Sequence, residues 1–142
     1  MPTRTATASW KGGLRGGKGS FDGESGAISG QYSFGSRFEE AGGTNPEELL
    51  AAAEAACYSM ALAGALEGAG MQPESVETTA RCTIERNGGG FTITRMALSV
   101  VASVPGADRD TFKDLAQQTK DNCPVSKALL GNVQIDVDAR LA

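Results

Sequence analysis

The sequence predicts an α+β domain with antiparallel sheet. Three observations carry this: short strand-like runs before residue 44, a long helical pattern over Thr44 to Ala69, and a strand pair, two helices and a last strand after it. The 142 residues are enough for one domain, 1–142, with a substantial core and no covalent staples. The pattern shows no internal repeat, linker or second domain.

Residues 1–38 are glycine-rich, and ATASW, GAISGQYSF and SRF read as strands of a meander. GGLRGGKGS between them reads as a loop, with Arg15 and Lys18 solvated on it. EEAGG then turns the chain into the central helix, and Arg37 lies just before that turn.

Two overlapping start signals open the helix. Thr44 with Glu47 spells a capping box; Asn45, Pro46 and Glu48 give an N-cap, a first-turn proline and an acid at N3. From Leu49 to Leu66 the only ionisable charge is Glu54, so the pattern predicts a helix buried nearly all round. Its many alanines and Gly64 allow close approach of neighbouring backbones, and Glu67 to Gly70 ends it. One small sheet cannot cover such a helix, which predicts a second subunit.

After the helix, Val76, Thr78, Ala80, Cys82 and Ile84 share one face of an alternating strand. NGGG at 87–90 predicts a hairpin to a second run, Phe91 to Val104. The apolar phase of that run moves from Phe91 and Ile93 to Met96, Leu98 and Val100, which predicts a bulge near Arg95. Asp108 to Lys120 is an amphipathic helix with Phe112, Leu115, Ala116 and Thr119 on its apolar face. Pro124 to Leu130 is a short helix, and Val133, Ile135, Val137, Ala139 and Leu141 mark a final strand.

Composition narrows the function. Thirteen basic against seventeen acidic residues, with no basic run, argue against a nucleic-acid surface. No apolar run of about 18 residues escapes interruption by Glu54 or glycine, which argues against a membrane span. The first ten residues lack the apolar centre of a signal peptide, so the expected location is the cytoplasm. With no histidine there is no Ser-His-Asp triad, no Cys-His pair and no imidazole metal site. No cofactor or metal is expected.

Three cysteines remain, at 57, 82 and 123, without C-x-x-C spacing. Cys82 lies on the inward face of a strand, as a packing residue would. Cys57 on its buried helix suits packing or chemistry equally. It lies too far along for the dipole of its own helix to help it, so activation needs a neighbouring cation or hydrogen-bond donor. Cys123 precedes Pro124 and so takes the N-cap position of the third helix, where free N–H groups lower a thiol pKa.

GTNPEELLAAAEAACYSMAL at 43–62 and NCPVSKALL at 122–130 resemble the two cysteine motifs of the OsmC/Ohr family of bacterial thiol peroxidases. The likeness extends from ASWKG through SRFEEAGG to the last strand, and CYSMAL with the arginine of SRF is nearer to the OsmC branch. The resemblance implies an intertwined homodimer in which antiparallel sheets wrap around long central helices. It implies Cys57 as the peroxidatic thiolate, Cys123 as the resolving cysteine, and an intramolecular disulfide reduced by a small dithiol or a dihydrolipoyl protein. It also implies that Arg37 holds Cys57 as thiolate and that Glu47 orients Arg37 through a bidentate pair, leaving Glu48 as the structural N3 cap.

On one straight helix, at about 1.5 Å per residue, Glu47 and Cys57 stand about 15 Å apart along the axis. Either Arg37 bridges part of that gap, the Pro46-Glu47 segment leaves the helix axis, or Arg37, Glu47 and Cys57 converge across a dimer, the reading favoured here. Phe38, Met60 or Phe91 are the apolar residues expected at the site, favouring organic hydroperoxides over hydrogen peroxide. The competing account is a dimer that binds an apolar ligand without catalysis, its cysteines being packing residues.

Overall fold

The computed structural model describes residues 1–142. The chain forms two compact units, Met1–Leu49 and Leu50–Ala142.

The first unit is a three-stranded antiparallel meander, β1 (Ala6–Lys11), β2 (Lys18–Gly23) and β3 (Ser29–Tyr32), followed by a helical turn, α1 (Phe34–Phe38). Strand β2 starts within the predicted loop, at Lys18. Gly19 lies between Trp10 and Tyr32 across the sheet, where an added Cβ would stand 2.5 Å from the Tyr32 ring and 2.8 Å from the Trp10 ring. Only glycine lets those two rings approach to 5.5 Å between centroids. SRF is a helix, not the predicted strand. Ser33 caps it, accepting from Ser36 N at 3.0 Å, while Ser36 Oγ accepts from Ser33 N at 2.8 Å. This reciprocal capping overrides the strand propensity of a short aromatic run. Arg15, expected in solvent, stacks its guanidinium over Phe34 at 4.5 Å.

Helix α2 (Pro46–Gly68) begins at the end of this unit and runs on through the second. Of the two start signals, Asn45 is the one used: its Oδ1 accepts from Glu48 N at 2.8 Å. Thr44 instead donates its hydroxyl to the Glu48 carboxylate at 2.8 Å.

In the second unit, β4 (Ser75–Asn87) and β5 (Gly90–Ser103) form the predicted hairpin, with positive φ at Gly88 and Gly89 as a two-residue turn requires. Thr83 faces Arg95 and Ile84 faces Ile93, so Thr94 is the extra residue of a bulge beside Arg95. Helices α3 (Arg109–Asn122) and α4 (Pro124–Leu129) lead to β6 (Gln134–Leu141), which pairs with β5 in parallel. This corrects the all-antiparallel expectation. A crossover through two helices returns the chain to the end where β5 began, and such crossovers make parallel pairs. Strand β5 is therefore central, and Met96, Leu98, Val100 and Ala102 are buried on it.

Helix α2 is not buried all round within the chain. Glu54, Tyr58, Leu62 and Leu66 form one fully buried stripe. Two residues away, about 200° around the helix, Ala52, Ala56, Met60 and Gly64 are exposed. Its 23 residues have the length and composition of a membrane span, but the buried stripe packs into the unit, so it is a core helix. Each buried leucine stabilises by about 1.5–3 kcal/mol, and truncating Leu62 to alanine costs about 2–5 kcal/mol.

Candidate active site

The four residues singled out by sequence fall into two pairs, one in each unit. In the first unit, Arg37 and Glu47 meet. The capping of α1 sets Arg37, and Ser36 ties this helix to the α2 start: its Oγ donates to the Thr44 carbonyl at 2.7 Å, and its own carbonyl accepts from Asn45 Nδ2 at 3.0 Å. Arg37 Nε and Nη2 donate to Glu47 Oε1 at 2.9 and 2.7 Å. Both bonds end on one oxygen, so the pair is not the two-oxygen fork expected, and the buried Glu47 Oε2 has no hydrogen-bond partner. The Arg37 guanidinium lies 5.2 Å from the Phe38 ring. Trp10, Leu14, Tyr32, Phe34 and Phe38 line a cavity of about 230 Å³ with Arg37 in its wall.

In the second unit, Cys57 and Cys123 meet. Cys57 flanks the buried stripe of α2, between Glu54 and Tyr58, beside the junction of α3 and α4, where the backbone leaves one helix and enters the next at Cys123. Cys123 is fully buried, and its thiol shares a hydrogen bond with Cys57. No disulfide joins them. Pro124 opens α4 as predicted, but Cys123 makes no side-chain cap bond. The free amide goes elsewhere: Val125 N–H donates to Cys57. The N-terminus of α4 thus serves Cys57, which its own helix dipole cannot reach.

Burial pushes the Cys57 thiol up, the hydrogen bond with Cys123 and the charges of Cys123 and Glu54 add to this, and the Val125 amide opposes them. The upward influences prevail.

Three residues that sequence reasoning did not assign complete this cluster. Tyr58 is fully buried and donates to the Ala116 carbonyl at 2.7 Å, fixing α2 against α3. Burial first, then the charges of Cys123 and Glu54, push its phenol far above the usual range. Ser126 is buried and donates to Glu54 Oε1, fixing α2 against α4. Glu54 is fully buried, and its Oε2 has no hydrogen-bond partner. The signal for Glu54 was its isolation as the one charge between Leu49 and Leu66, one turn before Cys57. Cys82 lies half-buried on β4, packed against the core as expected. Met60 and Phe91 are exposed within the chain.

Known proteins resemble the chain over most of its length. Residues 39–138 match the family model described as OsmC-like protein. The chain is 45% identical to peroxiredoxin OsmC of Escherichia coli over 130 residues, 91% of each chain. It is 30% identical to the organic hydroperoxide resistance protein OhrB of Bacillus subtilis over 99 residues, covering 69% of this chain and 71% of that one. The crystal structure of that OhrB superposes with a TM-score of 0.72 at 25% identity, over 96% of this chain and 98% of the other. The α+β fold is thus the OsmC/Ohr fold. The chain belongs to the OsmC-like family and is a peroxidase of the peroxiredoxin type.

Proposed function

We propose that this protein, acting as one OsmC-like domain over residues 1–142, reduces organic hydroperoxides, and hydrogen peroxide more weakly, through a Cys57–Cys123 dithiol cycle. The observation that carries this is the hydrogen-bonded contact of two reduced cysteines, with a helix-terminal amide on Cys57. The Cys57 thiolate attacks the terminal peroxide oxygen, the O–O bond breaks, and a proton converts the departing alkoxide to alcohol. Cys57 is left as a sulfenic acid. Cys123 condenses with it to a disulfide and water, which protects Cys57 from overoxidation. A small dithiol or dihydrolipoyl protein restores both thiols by exchange and leaves as its own disulfide.

Within its unit, Cys57 has a donor in Val125 but is held above its usual pKa by the balance of its surroundings. A cation is needed to hold it as thiolate. Arg37, oriented by Glu47, supplies it in this proposal from the partner subunit of a homodimer. The exposed stripe on α2 supports a partner helix there, since Ala52, Ala56 and Gly64 are small enough for close helix packing and Met60 is a large apolar side chain left uncovered. The aromatic cavity beside Arg37 supports an organic peroxide, because its apolar walls suit an alkyl or aryl group. The cytoplasm, with its reducing dithiol pool, suits this cycle, and neither nucleic acid nor membrane has a part in it. Ligand binding without catalysis leaves the paired thiols without a purpose.

Stopped-flow turnover of cumene hydroperoxide and hydrogen peroxide with excess dithiothreitol tests the proposal on wild type, Cys57→Ser and Cys123→Ser. Loss of turnover with Cys57→Ser and rapid overoxidation with Cys123→Ser are expected. Equal slow rates for all three, at the level of free thiol, would overturn it.

A further inference from the structure

The resolving step needs a proton removed and a proton returned. Cys123 must lose its thiol proton to attack, and the hydroxide leaving the Cys57 sulfenic acid must gain one. Cys57 is only half-buried, but Cys123 is fully buried, so bulk water is not at hand to take the Cys123 proton. A carboxylate is present in the same cluster. Glu54 stands three residues before Cys57 on α2, a spacing that makes side chains neighbours on one helix face. Ser126, three residues after Cys123, holds Glu54 Oε1. The carboxylate is thus fixed between the turn that bears Cys57 and the turn that follows Cys123.

Its second oxygen, Oε2, is fully buried and has no hydrogen-bond partner. Buried polar atoms of this kind are rare and call for an explanation. Cys57 and Tyr58 both respond to the charge of Glu54. The Tyr58 proton is committed to the Ala116 carbonyl. The thiol protons of the Cys57–Cys123 pair are the ones left for Oε2 to take.

We propose that Glu54 is the proton carrier of the resolving step, receiving the Cys123 thiol proton at Oε2 and delivering it to the oxygen that leaves Cys57. As the proton passes to Glu54, Cys123 Sγ forms its bond to Cys57 Sγ and the Cys57 S–O bond breaks. The proton then moves from Glu54 to the departing hydroxide, giving water and the starting carboxylate. No outside oxidant or reductant enters. Ser126 is a positioning residue, keeping Oε1 occupied so that Oε2 remains the exchanging oxygen. This assignment rests on the dithiol cycle proposed above.

The test separates the two chemical steps. Reduced full-length protein is mixed with one equivalent of cumene hydroperoxide, quenched at intervals, and Cys57 is scored by mass spectrometry as sulfenic acid (trapped with dimedone), disulfide or sulfinic acid. Glu54→Gln keeps an acceptor for Ser126 but cannot carry the proton. It should slow disulfide formation by about 10²-fold, the size of a general acid–base contribution. Sulfenic acid should form no more slowly than in wild type, and sulfinic acid should accumulate when peroxide is in excess. Glu54→Asp, which retains a carboxylate on a shorter stem, should recover part of the rate and guards against misfolding of the glutamine variant. Wild-type disulfide kinetics in Glu54→Gln, or equal slowing of both steps in it, would overturn the role of Glu54 and leave the dithiol cycle intact. Absence of any Cys57–Cys123 disulfide in wild type would instead overturn the cycle, and this role with it.

Discussion

Glu47 and Glu54 are both buried on α2, yet Glu47 faces a guanidinium while Glu54 faces a neutral hydroxyl beside two thiols. The first carboxylate is matched in charge and holds an arginine in place. Both leave Oε2 buried without a hydrogen-bond partner, but the second has no cation to match it and stands among groups that can lose protons. A buried carboxylate thus orients a partner when a cation meets it, and becomes available to exchange protons when none does. The same helix can hold both because its first turn adjoins α1 and its third adjoins α4.

The largest effect expected on this contrast comes from the thiol beside Glu54. Cys57→Ser should drop hydroperoxide turnover to that of dithiothreitol alone, with Arg37 and Glu47 undisturbed; residual turnover above that level would move the chemistry away from the Glu54 cluster. Next in size is Arg37→Ala, which should lower turnover by about 10²-fold, the scale of losing one preorganised charged donor. In this variant Cys57 keeps the raised pKa that burial, Cys123 and Glu54 impose. Its iodoacetamide alkylation should therefore rise only at pH above the ordinary thiol range, whereas wild type reacts near neutrality. The sign for stability follows. A folded-state pKa above the unfolded value favours the folded thiol at low pH, so the urea midpoint of Arg37→Ala should hold below the ordinary thiol pKa and fall as pH rises through the raised one. An alkylation profile matching wild type would remove Arg37 from the activation of Cys57.

Smaller, but of opposite sign, are the two glutamine substitutions. Glu47→Gln weakens a charged pair and should cost about 1 kcal/mol, discounted because Arg37 is partly exposed and solvent screens it. Glu54→Gln removes a desolvated charge while keeping an acceptor for Ser126, and should be neutral or stabilising by up to about 1 kcal/mol. Chemical denaturation of the two variants side by side measures this, and a loss in both would erase the contrast. Least of all, Cys82→Ser should leave turnover at the wild-type level and cost at most about 1 kcal/mol, since Cys82 is half-buried packing on β4.

The local elements of the second unit were legible from pattern alone. The β4–β5 hairpin, its bulge beside Arg95, the apolar face of α3 and the proline entry to α4 each follow from a few adjacent residues. Cys57, Cys123, Arg37 and Glu47 were picked out by motif, and each lies in contact with the partner expected within its pair. What escaped was SRF, where two serines close a capping box around an aromatic run, and the direction of β6. Glu54 was visible as an isolated charge, but its bond to Ser126 was not, because that contact joins residues far apart in the chain.

By itself the sequence determined the helix and strand periods, the caps, the turns that need glycine, and the absence of imidazole chemistry, since these depend on side chains within a turn or two of one another. Only the tertiary structure decided which face of α2 is covered, that β6 runs parallel to β5, and that the amide at the start of α4 serves Cys57 and not Cys123. It also brought Glu54 to Ser126. These depend on where distant segments come to rest against each other, and packing, not local periodicity, sets that.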